Sequence, residues 1–272
     1  MDTILIPTDF SEHAHYALEY ASFITKEKGG KLIILNVYQH HKELENIQNK
    51  FKEIETYSYL KGVDYEFITE KGISVSNTIS KVGIDYHVGL IIMGSNGVSN
   101  IEEMLLGSNT ENVIRKSHFN VLTIKHRMPE LKIKSILFPS DFMPEVYSIF
   151  EGIKNFSELF NAKIHLLNVT SSKDSKEINK VSKKMDSLID FYQLKEGSYQ
   201  KVIVKDKSEE FGILNYCIDN DIDIIAIGSH GKSVLHKLIK ESTSQNVVRD
   251  SFRPILTMRF QENFRPQTSN LR

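Results

Sequence analysis

The chain repeats itself over a long period, and this feature constrains its fold more than any other. Four short segments of the first half return in the second half with an offset of 132 to 134 positions. The matched pairs are residues 4–10 (ILIPTDF) and 136–142 (ILFPSDF), 35–37 and 167–169 (LNV in both), 92–97 and 226–231, and 112–117 and 246–251. A repeat of this length predicts that one structural unit occurs twice.

The repeat divides the 272 residues into two domains of ordinary size. We expect the first domain at residues 1–130, the second at residues 131–260 and a flexible tail at residues 261–272. The join falls at residues 128–130 (MPE), because proline favours an extended chain before it and resists the continuation of a helix.

Composition excludes several classes of protein. Hydrophobic residues make up 40% of the chain and charged residues 25%, which is typical of a globular protein, and the net charge of −1 gives no field to attract nucleic acid or an anionic membrane. The sequence has no apolar stretch of roughly 18 residues and no signal-peptide pattern, and Cys217 is its only cysteine, so no intrachain disulfide can form. We therefore expect a cytoplasmic protein with neither nucleic acid nor a membrane as a partner.

Each half alternates short apolar runs with longer amphipathic ones, which indicates β-α-β units and a mainly parallel sheet with helices on both faces. The fold class that we expect is α/β, with two tandem, doubly wound, Rossmann-like domains of five strands each. In the first half the strands are expected at residues 3–7, 31–37, 65–69, 90–94 and 121–124.

Helices fill the gaps between these strands. Ser11 predicts the N-cap of the first helix and Gly29 its end. Further helices are expected at residues 41–61, at residues 74–82 and after Gly107.

A helix of the second half shows an apolar stripe. Its members are Phe211, Leu214, Cys217 and Ile218. The stripe predicts that all four face the core, so that Cys217 is a packing residue rather than a reactive thiol.

A glycine-rich loop follows the fourth strand with the pattern G-x2-G-x9-G-S, formed by Gly94, Gly97, Gly107 and Ser108. Ligands of open parallel sheets bind beyond the carboxyl ends of the strands, where this loop lies. Glycines allow phosphate oxygens to approach backbone N–H groups, and a helix that begins near Ser108 adds unpaired N–H groups and a positive dipole end. The pattern predicts a phosphate site, to which Asp9 after the first strand would add a hydrogen-bond acceptor.

Three segments resemble the universal stress protein family in its ATP-binding branch. They are residues 7–11 (PTDFS), 35–37 (LNV) and the loop 94–108. The resemblance covers nearly the whole chain, twice over, and implies contacts of Asp9 and Val37 with adenine. It further implies contacts of Gly94 with the ribose and of the remaining site residues with the phosphates: Gly97, Gly107, Ser108 and Asn109. The Mg²⁺ or Mn²⁺ of the family would be carried on the phosphates of ATP.

The second half departs from this pattern at one position, because Glu241 stands where the first half has Gly107. A carboxylate there brings bulk and like charge to the phosphate position, which costs on the order of several kcal/mol at low effective dielectric. Asp141 and Val169 remain, so adenine alone could still fit.

Three functions agree with these residues. The preferred one is an ATP-binding regulatory module of a stress response that binds one ATP per chain; the alternatives are a slow ATPase or autophosphorylating enzyme, and a structural tandem without nucleotide. A phosphate-accepting receiver is rejected, since the third strand ends in residues 69–71 (TEK) without an aspartate. No catalytic residue is expected, because no nucleophile with a paired base is visible in the sequence. No protein metal site is expected, because the histidines show no ordered ligand spacing and there is no second cysteine.

The resemblance also implies how the domains associate. Domains of this family dimerise through their last strands, so we expect residues 121–124 and 255–258 to form an intrachain pseudo-dimer, with further homodimerisation possible. The sequence does not identify the protein partner.

Overall fold

The computed structural model of the protein describes residues 2–95, 108–116, 118–228 and 253–259. Contacts divide the chain into two compact units, Met1–Leu131 and Lys132–Arg272. The tail predicted at residues 261–272 lies outside the described residues. None of the helices in the described ranges is long and apolar enough to cross a lipid bilayer.

The first unit alternates strands and helices along the chain. Its elements are β1 (Thr3–Pro7), α1 (Glu12–Lys28), β2 (Lys31–Tyr38), α2 (Leu44–Glu55), β3 (Asp64–Lys71), α3 (Val75–Asp85), β4 (Leu90–Gly94), α4 (Ser108–Lys116) and β5 (Val121–Ile124). Single 3₁₀ turns occur at His41–Glu43 and Ser58–Leu60.

The five strands of the first unit pair in parallel in the order β3-β2-β1-β4-β5. The chain leaves β1 towards β2 and leaves β4 towards β5, so the connections diverge between β1 and β4. This is the switch point of a doubly wound sheet. Strands β1, β2, β4 and β5 are dense in isoleucine, leucine and valine because both of their faces are buried, whereas the edge strand β3 is partly exposed. The expected α/β fold is confirmed.

Helix α1 begins and ends where its sequence predicts. The hydroxyl of Ser11 accepts a hydrogen bond from Ala14 N at 3.3 Å, which satisfies an N–H group that the helix leaves unpaired. Gly29 ends the helix with φ of 76°, a conformation that favours glycine. Between them an apolar face, including Leu18 and Ile24, is buried against the sheet.

The helix predicted over residues 41–61 has the wrong bounds, because only Leu44–Glu55 is α-helical. The hydroxyl of Thr56 donates to Glu53 O at 2.7 Å, and Tyr57 turns to an extended ψ of 126°. The ring of Tyr57 then packs edge-on against His15 of α1, with 4.6 Å between ring centroids. This contact with α1 takes the place of further helical turns.

The second unit repeats the arrangement. Its elements are β6 (Ser135–Pro139), α5 (Tyr147–Phe160), β7 (Lys163–Thr170), α6 (Ser175–Tyr192), β8 (Tyr199–Lys205), α7 (Glu209–Asp219), β9 (Ile224–Gly228) and β10 (Ile255–Met258). The strands pair in parallel in the order β8-β7-β6-β9-β10, which mirrors the first unit strand for strand.

The apolar stripe predicted on α7 is partly wrong. Leu214 and Cys217 are buried, but Phe211 is 49% exposed and Ile218 45% exposed. The buried face instead includes Tyr216, which reaches a partner on β7. Cys217 is a core residue as predicted, and burial raises the pKa of its thiol to about 12, so the reactive thiolate is disfavoured.

A polar pair is buried in the core of the second unit. His165 Nδ1 of β7 and the hydroxyl of Tyr216 on α7 lie 2.8 Å apart. The repeat aligns these positions with Ile33 and Val82 of the first unit, which are apolar core residues. Burial lowers the pKa of His165, and the nearby charge of Lys163 lowers it further.

This pair makes the stability of the second unit sensitive to acid. The folded chain holds the pKa of His165 below its ordinary value of about 6.5, so the unfolded chain binds the additional proton as the pH falls. The contribution of neutral His165 to the free energy of unfolding is complete above about pH 6.5. It is lost as the pH falls through the pKa that His165 has in the folded chain. We expect the free energy of unfolding, measured by urea denaturation, to fall less steeply with acid after the double substitution His165→Ile and Tyr216→Phe. An equally steep fall in both proteins would contradict this assignment.

Candidate functional site

The site lies where the carboxyl ends of β1 and β4 meet. These strands are parallel neighbours, with Ile4 opposite Leu90 and Leu5 opposite Ile91. The turn after β1 carries Asp9, and β4 ends at Gly94. Because β2 pairs with β1 in parallel, Val37 reaches the same edge of the sheet. Residues far apart in the sequence therefore share one edge at the switch point.

Asp9 belongs to a tight turn that is fixed by its own side chains. Thr8 N donates to Leu35 O at 2.8 Å, which continues the β1–β2 pairing past the strand end. Phe10 N donates to Thr8 Oγ1 at 3.0 Å, and Ser11 N donates to Asp9 Oδ1 at 3.0 Å. Phe10 takes a left-handed conformation with φ of 63°. The turn holds the exposed carboxylate of Asp9 in a defined place at the N-terminus of α1.

The second unit builds the same turn. Phe142 N donates to Ser140 Oγ at 2.9 Å, and Met143 N donates to Asp141 Oδ1 at 3.1 Å. Phe142 repeats the left-handed conformation with φ of 54°. The turn is thus a property of the repeated sequence and does not depend on the different loops that follow β4 and β9.

Sequence reasoning gave no role to the asparagine of the repeated LNV segment. Asn36 is buried, and its Nδ2 donates to Thr8 O at 2.8 Å. Asn168 makes the same bond to Ser140 O at 2.9 Å. Each amide ties the end of the second strand to the turn that carries the aspartate. The available signal was a polar residue repeated inside an otherwise apolar strand.

Gly94 is a glycine for a reason of packing. A Cβ atom at this position would lie 2.5 Å from His13 O and 2.7 Å from Ala14 N, so the backbone of α1 excludes any side chain. The carbonyl of Gly94 accepts a hydrogen bond from Thr110 Oγ1 at 3.1 Å, which links β4 to α4. The close approach of α1 and the tie to α4 both converge on the end of β4.

Helix α4 begins at Ser108, after Gly107 as the sequence predicts. Asn109 is exposed in its first turn, whereas Thr110 and Val113 are buried. Gly97 and Gly107 lie outside the described residues, as does Glu241 of the second unit. Contacts of the seven predicted site residues with a nucleotide stay a prediction.

Lys125 is a lysine at this edge of the sheet. It directly follows β5, which pairs in parallel with β4, and burial lowers the pKa of its ammonium group. An anion nearby would favour the charged form of such a group. The sequence alone gave Lys125 no role in the phosphate site, because its position beside β4 is decided by strand order.

The described residues give no support for a metal held by protein side chains. In the ranges that the structure describes, no three histidine, cysteine, aspartate or glutamate side chains are grouped to hold an ion. His15 packs edge-on against the rings of Tyr57 and Tyr59.

The packing of Gly94 generates a prediction about stability. Gly94→Ala places a methyl group against the backbone of α1, which cannot yield as a side chain can. We expect the substitution to lower the free energy of unfolding by about 1–3 kcal/mol in urea denaturation.

Gly152→Ala is the matched control. Its added methyl group on α5 would meet the end of the flexible Met258 side chain, and alanine favours the helix. We expect little change in stability from this control. Equal stability of the Gly94→Ala variant and the parent protein would show that α1 approaches β4 less closely.

Comparison with known proteins gives consistent matches. A sequence model of the Universal stress protein family matches residues 1–125 and 132–259. A universal stress protein of Methanocaldococcus jannaschii is 32% identical over 154 residues, which cover 46% of this chain and 94% of that protein. A putative universal stress protein of Staphylococcus aureus is 29% identical over 160 residues, with coverage of 53% and 90%.

Solved structures show the same fold. A universal stress protein from Archaeoglobus fulgidus has a TM-score of 0.69 at 24% identity, and the alignment covers 94% of this chain and 98% of that one. At this identity the likeness is evidence for the fold alone. The two segments matched by the family model take in most of the sequence and fall in the two repeats. The chain belongs to the universal stress protein family and carries its domain twice, in tandem.

Proposed function

We propose that the first unit binds one ATP at the switch point and acts as a regulatory module in a stress response. The observation that carries the proposal is the start of α4 at Ser108, directly after the glycine-rich loop that leaves the end of β4. The proposed ligand contacts come from Asp9, Val37, Gly94, Gly97, Gly107, Ser108 and Asn109.

The local chemistry supports an anion at this end of the sheet. Helix α4 has nine residues, and its first N–H groups have no partner inside the helix. The positive end of its dipole favours phosphate. Lys125 follows β5 at the same edge of the sheet, and burial lowers the pKa of its ammonium group, which a bound triphosphate would oppose. Mg²⁺ or Mn²⁺ would be bound through phosphate oxygens.

Asp9 and Val37 are the residues proposed to contact the adenosine end of the ligand. The carboxylate of Asp9 is exposed, and the turn that carries it is held by hydrogen bonds from Phe10 N and Ser11 N. Val37 is half-buried near the end of β2, where backbone groups pair with β3. Both residues stand on a rigid frame, which limits the entropy lost on binding.

The second unit differs around an equivalent turn. Lys184 Nζ of α6 donates to Asp141 O at 3.3 Å and lies 2.9 Å from Met143 Sδ, so a lysine of α6 is anchored on the turn after β6. Glu241 stands in the sequence where Gly107 stands in the first unit. We infer that the second unit does not bind a triphosphate.

The remaining parts of the proposal concern the cellular setting. Nucleotide occupancy would change the choice of a protein partner, and the protein would act in the cytoplasm. The two domains would form an intrachain pseudo-dimer. Size-exclusion chromatography with and without ATP would test whether whole chains dimerise further.

The proposal predicts one ATP per chain. Isothermal titration with ATP and Mg²⁺ should give a single site. At about 100 times the dissociation constant, linkage predicts about 2.7 kcal/mol of added stability for the folded protein. Two equivalent sites would contradict the assignment of the second unit, and an unchanged melting curve at saturating ATP would contradict any nucleotide role.

The difference between the units predicts a reciprocal pair of variants. Gly107→Glu should abolish ATP binding, because charge and bulk enter the phosphate position, and it should leave the circular dichroism spectrum unchanged. Glu241→Gly should give the second unit measurable affinity for triphosphate, seen as a second site in titration. Gly107→Ala is the control that adds little bulk and no charge. ATP binding by Gly107→Glu as tight as that of the parent protein would place the phosphates elsewhere.

A further inference from the structure

Ile73 is more exposed than any other large apolar side chain in the described ranges, with 97% of its surface accessible. Ile84 follows with 60%. A single exposed isoleucine is common on protein surfaces. Ile73 differs from such a residue in its position. It follows β3 at the edge of the sheet where β2 and β3 both end.

The backbone around Ile73 is held in place on both sides. Before it, Gly72 N donates to Tyr38 O at 3.0 Å, which extends the pairing of β2 and β3. After it, the hydroxyl of Ser74 caps α3 by accepting from Asn77 N, and Thr78 Oγ1 donates to Ser74 O at 3.0 Å. Ile73 is therefore presented to solvent by a fixed turn.

Ile73 forms one wall of an open cleft of about 660 Å³ at the carboxyl ends of β2 and β3. Gln39, His40 and Asn77 supply polar groups to the same cleft. A Cβ at Gly72 would collide with the hydroxyl of Thr78 and lie 3.2 Å from Val37 Cγ1, so the cleft adjoins Val37. An apolar wall with a few polar side chains is the type of lining that small planar ligands require.

The second unit provides an internal comparison. Ser208 caps α7 as Ser74 caps α3, which aligns Ile73 with Lys207 and Gly72 with Asp206. Asp206 Oδ1 there accepts a hydrogen bond from Ser208 N at 3.0 Å. The second unit thus replaces the apolar wall with a lysine. The same unit carries glutamate at the proposed phosphate position, so the units differ at both ends of the proposed ligand.

We propose that Ile73 covers one face of the adenine ring and that this contact distinguishes a nucleotide from a polyphosphate. The inference rests on the proposed function, since it assigns the base end of the same ligand. Recognition of the base face is an apolar contact, which requires a rigid side chain at a fixed position and no hydrogen bond. The polar groups of the cleft would then face the edge of the base.

The test compares two ligands and four proteins by isothermal titration. The ligands are ATP and inorganic tripolyphosphate, each with Mg²⁺, and the proteins are the parent and the variants Ile73→Ser, Ile73→Leu and Ile84→Ser. We expect Ile73→Ser to bind ATP roughly tenfold more weakly than the parent, with unchanged binding of tripolyphosphate. Ile73→Leu restores most of the affinity, and Ile84→Ser binds both ligands as the parent does. The melting temperatures of the ligand-free proteins should agree, because neither isoleucine is buried.

Two outcomes would overturn the role of Ile73 and leave ATP binding in place. One is parental ATP affinity in Ile73→Ser, and the other is an equal loss of affinity for ATP and for tripolyphosphate. Failure of the parent protein to bind ATP would overturn the proposed function, and the role of Ile73 with it.

Discussion

The position of β1 between β2 and β4 is the constraint on which the rest of the first unit depends. Its three central residues, Ile4, Leu5 and Ile6, are fully buried, and parallel partners lie on both sides. The chain leaves β1 towards one side of the sheet and leaves β4 towards the other. Connections that leave neighbouring parallel strands in opposite directions open a cleft between the two exits. Asp9, the end of β4 and the start of α4 are placed by this single feature.

The two units share a frame and differ in what surrounds it. The buried amides of Asn36 and Asn168 fix the same turn in both units, with nearly equal hydrogen bonds. In each unit this bond gives a partner to the carbonyl group at the start of the turn. One difference is the residue before the serine that caps the third helix of each unit, which is Ile73 in the first unit and Lys207 in the second. A tandem of this kind can lose one ligand site while its fold is preserved.

Core packing has also diverged between the units. The first unit fills the space between its second strand and third helix with apolar side chains, whereas the second unit uses the hydrogen-bonded pair of His165 and Tyr216. A buried hydrogen bond requires one relative geometry of the strand and the helix. Helix α7 nevertheless buries the same face as α3, since Ile218 is exposed as Ile84 is at the equivalent position of α3.

The sequence by itself determined the duplicated α/β fold, the bounds of β1, β4 and β5, and the cap of α1 at Ser11, because periodicity and capping act over a few residues. It also singled out the loop that begins at Gly94. Only the tertiary structure decided that α2 stops at Glu55, that α7 turns its Tyr216 inward, and that Gly94 must lack a side chain. Each of these follows from contact between segments separated by tens of residues, and local patterns contain no information about such contacts.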